Sequence, residues 1–289
     1  MTRLTVDELD PTFVGLGRAL VAAVLAGALL AVRGEPWPRR RDLPRFALVS
    51  LGVVIGFPLL STLALQQLTS AHSSVIVGLL PAATAAWAVA RAGERPPRAF
   101  WAAAAAGLVA VLAFAATQGV NGIAVADLLV LGAVLAAGLG YAEGGALART
   151  YGGWQVICWA LVLTAPFLVV PVALTAQGSG DAGAWLGFAY VAAVSAFLGF
   201  FAWYRGLALG GVARIGQLQL AQPVLTLLWS ALFLAEQVTL AMVVAALAVL
   251  VCVVATQRTR SGHHERGGRR AADRHGHVVQ GAVLPRRAQ

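Results

Sequence analysis

Runs of about twenty apolar residues recur along nearly the whole chain, and they decide what it can fold into. About twenty helical residues, at 1.5 Å each, cross a hydrocarbon layer of roughly 30 Å. The runs cover about 12–33, 45–66, 70–90 and 99–117, then about 126–148, 154–176, 184–205, 213–234 and 237–256. Only helices and closed barrels satisfy every backbone group in lipid, and unbroken apolar runs lack the alternation of a barrel strand. The sequence therefore predicts an all-α, polytopic transmembrane bundle of four helices followed by five. Composition agrees: 59% of residues are apolar and 11% charged, where a soluble globular chain carries roughly 25% charged.

The net charge of +9 resembles a nucleic-acid signal, but Arg258, Arg260, Arg266, Arg269, Arg270, Arg274, Arg286 and Arg287 all lie in the tail. Topology explains the charge better, and nucleic acid is not an expected partner. The chain has no Lys, so Arg alone marks the loops held on the cytoplasmic side. Arg33, Arg39, Arg40, Arg41 and Arg45 follow the first run; Arg91, Arg95 and Arg98 the third; Arg149 the fifth; Arg205 and Arg214 flank the loop after the seventh. The alternate loops contain none. This predicts a multi-pass protein of the cell membrane with a cytoplasmic C-terminus, Met1 outside and Arg3 the only external arginine. The opening Met1 to Glu8 lacks the basic region and cleavage site of a signal peptide.

Residues 257–289 turn to Arg, His and Gly, too polar to offset the entropy of ordering, and are expected to form a disordered basic cytoplasmic tail. His263, His264, His275 and His277 match no ligand spacing, so neither a metal nor a cofactor is expected. Cys158 and Cys252 sit inside apolar runs and read as packing residues.

Shifting the chain by 142 residues superposes Leu65 on Leu207, Ala71 on Ala213, Pro81 on Pro223, Thr84 on Thr226, Trp87 on Trp229 and Glu94 on Glu236, without a gap. The arginine pattern puts Glu94 inside and Glu236 outside, so the repeat is inverted. The halves are read as 1–118 and 124–256. Inverted repeats characterise secondary transporters, whose substrate sites lie near the midplane between the halves. Pro81 and Pro223 each lie roughly 15 Å from a helix end. Each removes a backbone hydrogen bond that a neighbour or a cavity must replace, the alternative being a simple packing kink.

Polar residues inside the spans are the site candidates. Gln219, Gln222 and Thr226 share one helical face, with Gln217 nearby. Their amides suit carboxylate or amine groups, or else join helices. Ser73 and Ser74 precede Pro81 and offer a weaker face of the same kind. Glu143 is an ionisable residue inside the fifth run, a proton carrier or gate unless water or Arg149 solvates it. Arg18 lies about 9 Å into the first run, roughly 17 Å in depth from Glu143, so the two are not expected to pair. Trp203 and Tyr204 align with Ser61 and Thr62; aromatics near helix ends are usually interfacial anchors, though Tyr204 could reach a substrate.

The pairs Ala64-Leu65 and Gly206-Leu207, the following Pro81 and Pro223, and the helix-ending Glu94 and Glu236 resemble the EamA-type members of the drug/metabolite transporter superfamily. The stretch from Tyr204 to Pro223 is similar to one bacterial subgroup. The resemblance covers about 12–256 and implies ten helices as five plus five, cytoplasmic termini, and export or exchange of amino acids and related metabolites. Arg18 matches an arginine that the family often carries in its second helix. The first run here resembles that second helix, so the family's opening helix is missing, and a start placed too late is the favoured account. The expected function is a secondary transporter exporting small polar metabolites. The partners expected are a small-molecule substrate and the lipid bilayer; proton coupling and homodimer formation stay open. An intramembrane enzyme would need a nucleophile, base or metal set that no span carries, and a P-loop is impossible without lysine. A receptor or assembly subunit would show the same helices without flux.

Overall fold

The computed structural model describes residues 2–6, 8–92, 98–118, 124–176, 180–210, 215, 218–219, 221–255 and 258. Among the described residues, each apolar run contains a helix. We number the helices α1 (Thr2–Val6), α2 (Phe13–Arg33), α3 (Arg40–Leu65), α4 (Ser70–Arg91), α5 (Arg98–Gln118), α6 (Val125–Tyr151), α7 (Gly153–Thr175), α8 (Ala182–Leu209), α9 (Ala221–Phe233) and α10 (Leu240–Ala255). Six of them, α2, α3, α4, α6, α7 and α8, are long and apolar enough to cross a membrane. α5, α9 and α10 supply the shorter apolar helices.

Buried side chains gather into two apolar clusters. One joins α2 and the first part of α3 to α7 and α8; the other joins α4 and α5 to α9 and α10. α6 belongs to both, through Leu147 and Ala148 in the first and Val130, Val134 and Ala137 in the second. Its glycines explain how it fits between so many neighbours. A methyl group on Gly138 would stand 2.9 Å from the Ala83 carbonyl carbon, and one on Gly140 would stand 3.1 Å from the Val53 nitrogen. Backbones in lipid approach this closely only across small residues, where dispersion replaces the hydrophobic drive. Gly152, at φ 93°, turns the chain from α6 into α7, a conformation that glycine adopts without penalty.

Two departures from plain helix position the site. α4 is interrupted at Gly78–Leu79, between its segments Ser70–Val77 and Leu80–Ala92. Pro81 is the second residue of the later segment and lacks the amide hydrogen that would continue the ladder. Pro223 occupies the third position of α9. The break in α4 abuts the first turn of α9, because a methyl on Gly78 would stand 3.2 Å from the Pro223 Cγ. Separately, three stretches widen into π-helix: Phe13–Gly17 in α2, Ser50–Gly56 in α3 and Val191–Leu198 in α8. Such stretches leave carbonyls and side chains turned out of α-helical register, and they are frequent at functional sites.

Candidate functional site

A cavity of about 270 Å³ opens between the widened stretches of α3 and α8 and the residues that follow the widening of α2. Arg18 is the first residue after the α2 widening, and it is held with only 8% of its surface exposed. Its Nε is enclosed without a hydrogen-bond partner, and among the described residues no carboxylate pairs with it. Tyr141, Ser195, Trp203 and Gln222 are the other polar side chains on the wall. The Trp203 indole Nε1 is likewise buried and unpartnered.

The wall is organised by the spacing already seen in the sequence. Val53 and Ser195, Val54 and Ala196, Phe57 and Gly199, and Pro58 and Phe200 all line it, and each pair is 142 residues apart. So are Ala19 with Leu161 and Leu80 with Gln222. The widened stretches of α3 and α8 therefore present corresponding positions to one space. Their chemistry differs: Ser195 and Gln222 stand where the first half has Val53 and Leu80. Arg18 has no cationic counterpart, since Ala160 occupies its equivalent position. A second cavity, of about 250 Å³, is lined by Leu218, Gln219, Leu225, Thr226 and Trp229 and shares Trp203 and Gln222 with the first. The Gln219 Oε1 there is buried without a partner.

Charge closes the two ends of α6. At the arginine-bearing end Glu143, 2% exposed, accepts from the Nε of Arg45 at 2.9 Å and from the Nε of Arg91. One carboxylate thus ties the start of α3 and the end of α4 to α6. Nearby, the Tyr151 hydroxyl donates to Asp42 at 2.6 Å. At the opposite end His72 on α4 meets Asp127 on α6, Nε2 to Oδ1 at 2.7 Å, with 8% and 4% exposure. The other Asp127 oxygen accepts from the Ala124 amide, and the Glu236 carboxylate accepts from the Ser70 and Ala71 amides at the start of α4.

Comparison with known proteins decides the affiliation. The model of the EamA-like transporter family matches residues 1–116 and again 124–256. The chain belongs to the EamA-like transporter family. This EamA-like transporter is 48% identical over 263 residues to a Bacillus subtilis (strain 168) protein named as the uncharacterized transporter YdeK, covering 89% of this chain and 91% of the relative. A solved crystal structure, described no further than as that of a protein, has a TM-score of 0.62 and 19% identity, covering 86% of this chain and 89% of its own. At that identity the likeness concerns the fold alone.

Within this EamA-like transporter the expected site residues separate into three groups. Arg18, Trp203 and Gln222 meet on the first cavity, and Gln219, Gln222 and Thr226 share the second. Tyr204 and Ser73 are buried but lie on neither wall. The Tyr204 hydroxyl is spent on the Gly140 carbonyl at 3.2 Å, because the bare glycine face of α6 lets the ring lie flat against it. The Ser73 Oγ has no hydrogen-bond partner. Gln217 and Glu94 fall outside the described residues, as do the tail histidines. Pro81 follows the interruption of α4 and Pro223 stands in the first turn of α9, each next to a cavity residue and neither on a wall. Arg149, expected near Glu143, is exposed, and Arg45 and Arg91 take that place because their helix ends flank this side of α6. His72 and Asp127 are functional candidates that the sequence reading did not single out. The signal was there: two ionisable groups, each within three residues of an arginine-free helix end.

Proposed function

We propose that this membrane transporter is a secondary exporter of small polar metabolites bearing a carboxylate, amino acids being the fitting class, and that it works by alternating access between inverted halves 1–118 and 124–256. The observation that carries the reading is Arg18: a buried guanidinium facing a cavity, with its Nε unpartnered. A buried cation without a counter-charge is costly, and a substrate carboxylate bound there removes that cost. Guanidinium is also the group best matched to a carboxylate in geometry. Gln222, Ser195 and Tyr141 add neutral donors and acceptors for the remainder of the molecule. A volume of about 270 Å³ sits just below the roughly 300–1,000 Å³ of drug-sized sites, which favours a small substrate.

Six pairs of wall residues at one fixed spacing support two related halves meeting at the site, as alternating access requires. The gathering of arginines at one end, with Glu236, Asp127 and Asp181 at the other, supports a cytoplasmic C-terminus. Glu143 then clamps the cytoplasmic end, and opening that side requires its two guanidiniums to release it. The direction, export, rests on the family resemblance. Thermal-shift titration of the purified protein with an amino-acid panel tests the reading. Wild type is expected to be stabilised by at least one carboxylate-bearing compound and not by its decarboxylated amine, and Arg18→Gln to lose the response. Equal stabilisation of the Arg18→Gln variant would remove the assignment.

A further inference from the structure

We infer that the buried His72–Asp127 pair is a proton-binding site whose occupancy is coupled to substrate movement. The inference rests on the transport reading, and it moves the proton from Glu143 to the other end of α6. Glu143 is held between two guanidiniums, groups that keep their protons throughout the physiological range. That arrangement makes a clamp. An imidazole against a carboxylate makes a switch, because histidine gains and loses its charge near neutral pH.

The geometry sets the change in charge. With Asp127 ionised, Nε2 carries the hydrogen of the 2.7 Å bond, and the exchangeable proton is taken up at Nδ1. Without it the pair bears one net negative charge in an apolar enclosure; with it the pair is neutral. The surroundings supply no other cation among the described residues. α5 turns the Phe114 ring to the imidazole, 4.8 Å between centroids. α6 contributes Asp127, its next ionisable groups Tyr141 and Glu143 being roughly 21–24 Å further along. The adjacent part of α3, residues Phe57–Leu65, has no ionisable side chain, and neither has α9. α10 carries only Cys252, roughly 18 Å from its start. The chain between α9 and α10 brings Glu236 to the Ser70 and Ala71 amides. Asp127 therefore faces His72, the Glu236 carboxylate lies at the same helix end on the amides of the two preceding residues, and one proton on the pair cancels its net charge.

The same segment transmits the change. Ser70–Val77 packs on α9 and ends at Gly78, which abuts Pro223, the neighbour of the cavity residue Gln222. Immediately past the break, Leu80 lines the same cavity. A shift of the first α4 segment against α6, on gain or loss of the proton, thus reaches both halves of the wall through a contact rather than through solvent.

Two measurements on the full-length protein test this. In detergent, the carbon-13 resonance of His72, identified by its disappearance in His72→Gln, is expected to move reversibly with pH. Asp127→Asn is expected to change that response, since the facing anion is removed. In proteoliposomes, flux of the compound that stabilises the protein is expected to rise with an imposed pH gradient. His72→Gln and Asp127→Asn are each expected to lose that dependence while still binding the compound at fixed pH. A His72 resonance that does not titrate, or a variant whose flux still follows the gradient, would overturn the inference. Wild type that titrates yet carries no compound of the panel would support the proton site and overturn the transport reading together with the coupling.

Discussion

The two ends of α6 are both closed by a buried carboxylate, and the difference between them lies in the partner. Glu143 is answered by two guanidiniums reaching in from α3 and α4, while Asp127 is answered by one imidazole from α4. Permanent charges make a contact that only conformational work can open; a titrating charge makes one that a proton can open. Between them α6 presents Gly138, Gly140 and Gly144 to α4, α3 and α8, so the helix is fixed along its length by backbone contact. A rigid rod with unlike locks at its ends is suited to linking proton occupancy on one side to access on the other.

Breaking the guanidinium lock is expected to have the largest effect. Glu143→Ala leaves two cations facing each other without a counter-charge and should lower stability by about 2–3 kcal/mol, less than the 3–5 of a fully enclosed pair because both arginines are partly exposed. Thermal unfolding in detergent reads this, and the loss should be the same at pH 6 and pH 8. A strongly pH-dependent loss would erase the distinction between the two ends. Gly140→Val comes next, at about 2 kcal/mol, since its branched side chain has no room against Val53 and Gly52. It should lower the melting temperature and reduce flux together, whereas a flexible coupling would spare flux. Arg91→Gln, which leaves Arg45 in place, should cost about 1 kcal/mol in the same assay. The smallest effect is expected for Glu236→Gln, about 0.5 kcal/mol from a weakened contact with the α4 amides. Its amide still accepts one hydrogen bond, and only the charge at the start of α4 is removed. The protein should therefore remain nearly as stable as wild type, and flux should keep its dependence on the pH gradient.

Much of the frame was legible in the sequence because bilayer thickness dictates run length, and among the described residues each apolar run contains a helix. Pro81 likewise announced the interruption of α4, since a missing amide hydrogen acts locally. What depends on one helix meeting another was less legible. The widened stretch Ser50–Gly56 has no composition that separates it from its α-helical flanks, yet it turns Val53 and Val54 to the cavity. Depth along α6 separated Glu143 from Arg18 correctly but pointed to Arg149, a neighbour along the chain, rather than to Arg45 and Arg91 across space. Tyr204, near a helix end, reads from sequence as an interfacial anchor that could also reach a substrate. The absence of side chains at Gly140 and Gly144 drew it inward instead. Asp127 escaped attention because a carboxylate at the first turn of a helix usually has nothing more to do than cap it, and here it also caps Ala124.

The account stands most directly on Arg18, and counterflow in proteoliposomes examines it. Vesicles loaded with an unlabelled amino acid and holding wild-type protein should accumulate the labelled form of the compound that stabilises the protein, and Arg18→Gln vesicles should accumulate no more than empty liposomes. Counterflow by the Arg18→Gln protein at the wild-type rate, or wild-type counterflow confined to compounds lacking a carboxylate, would contradict it.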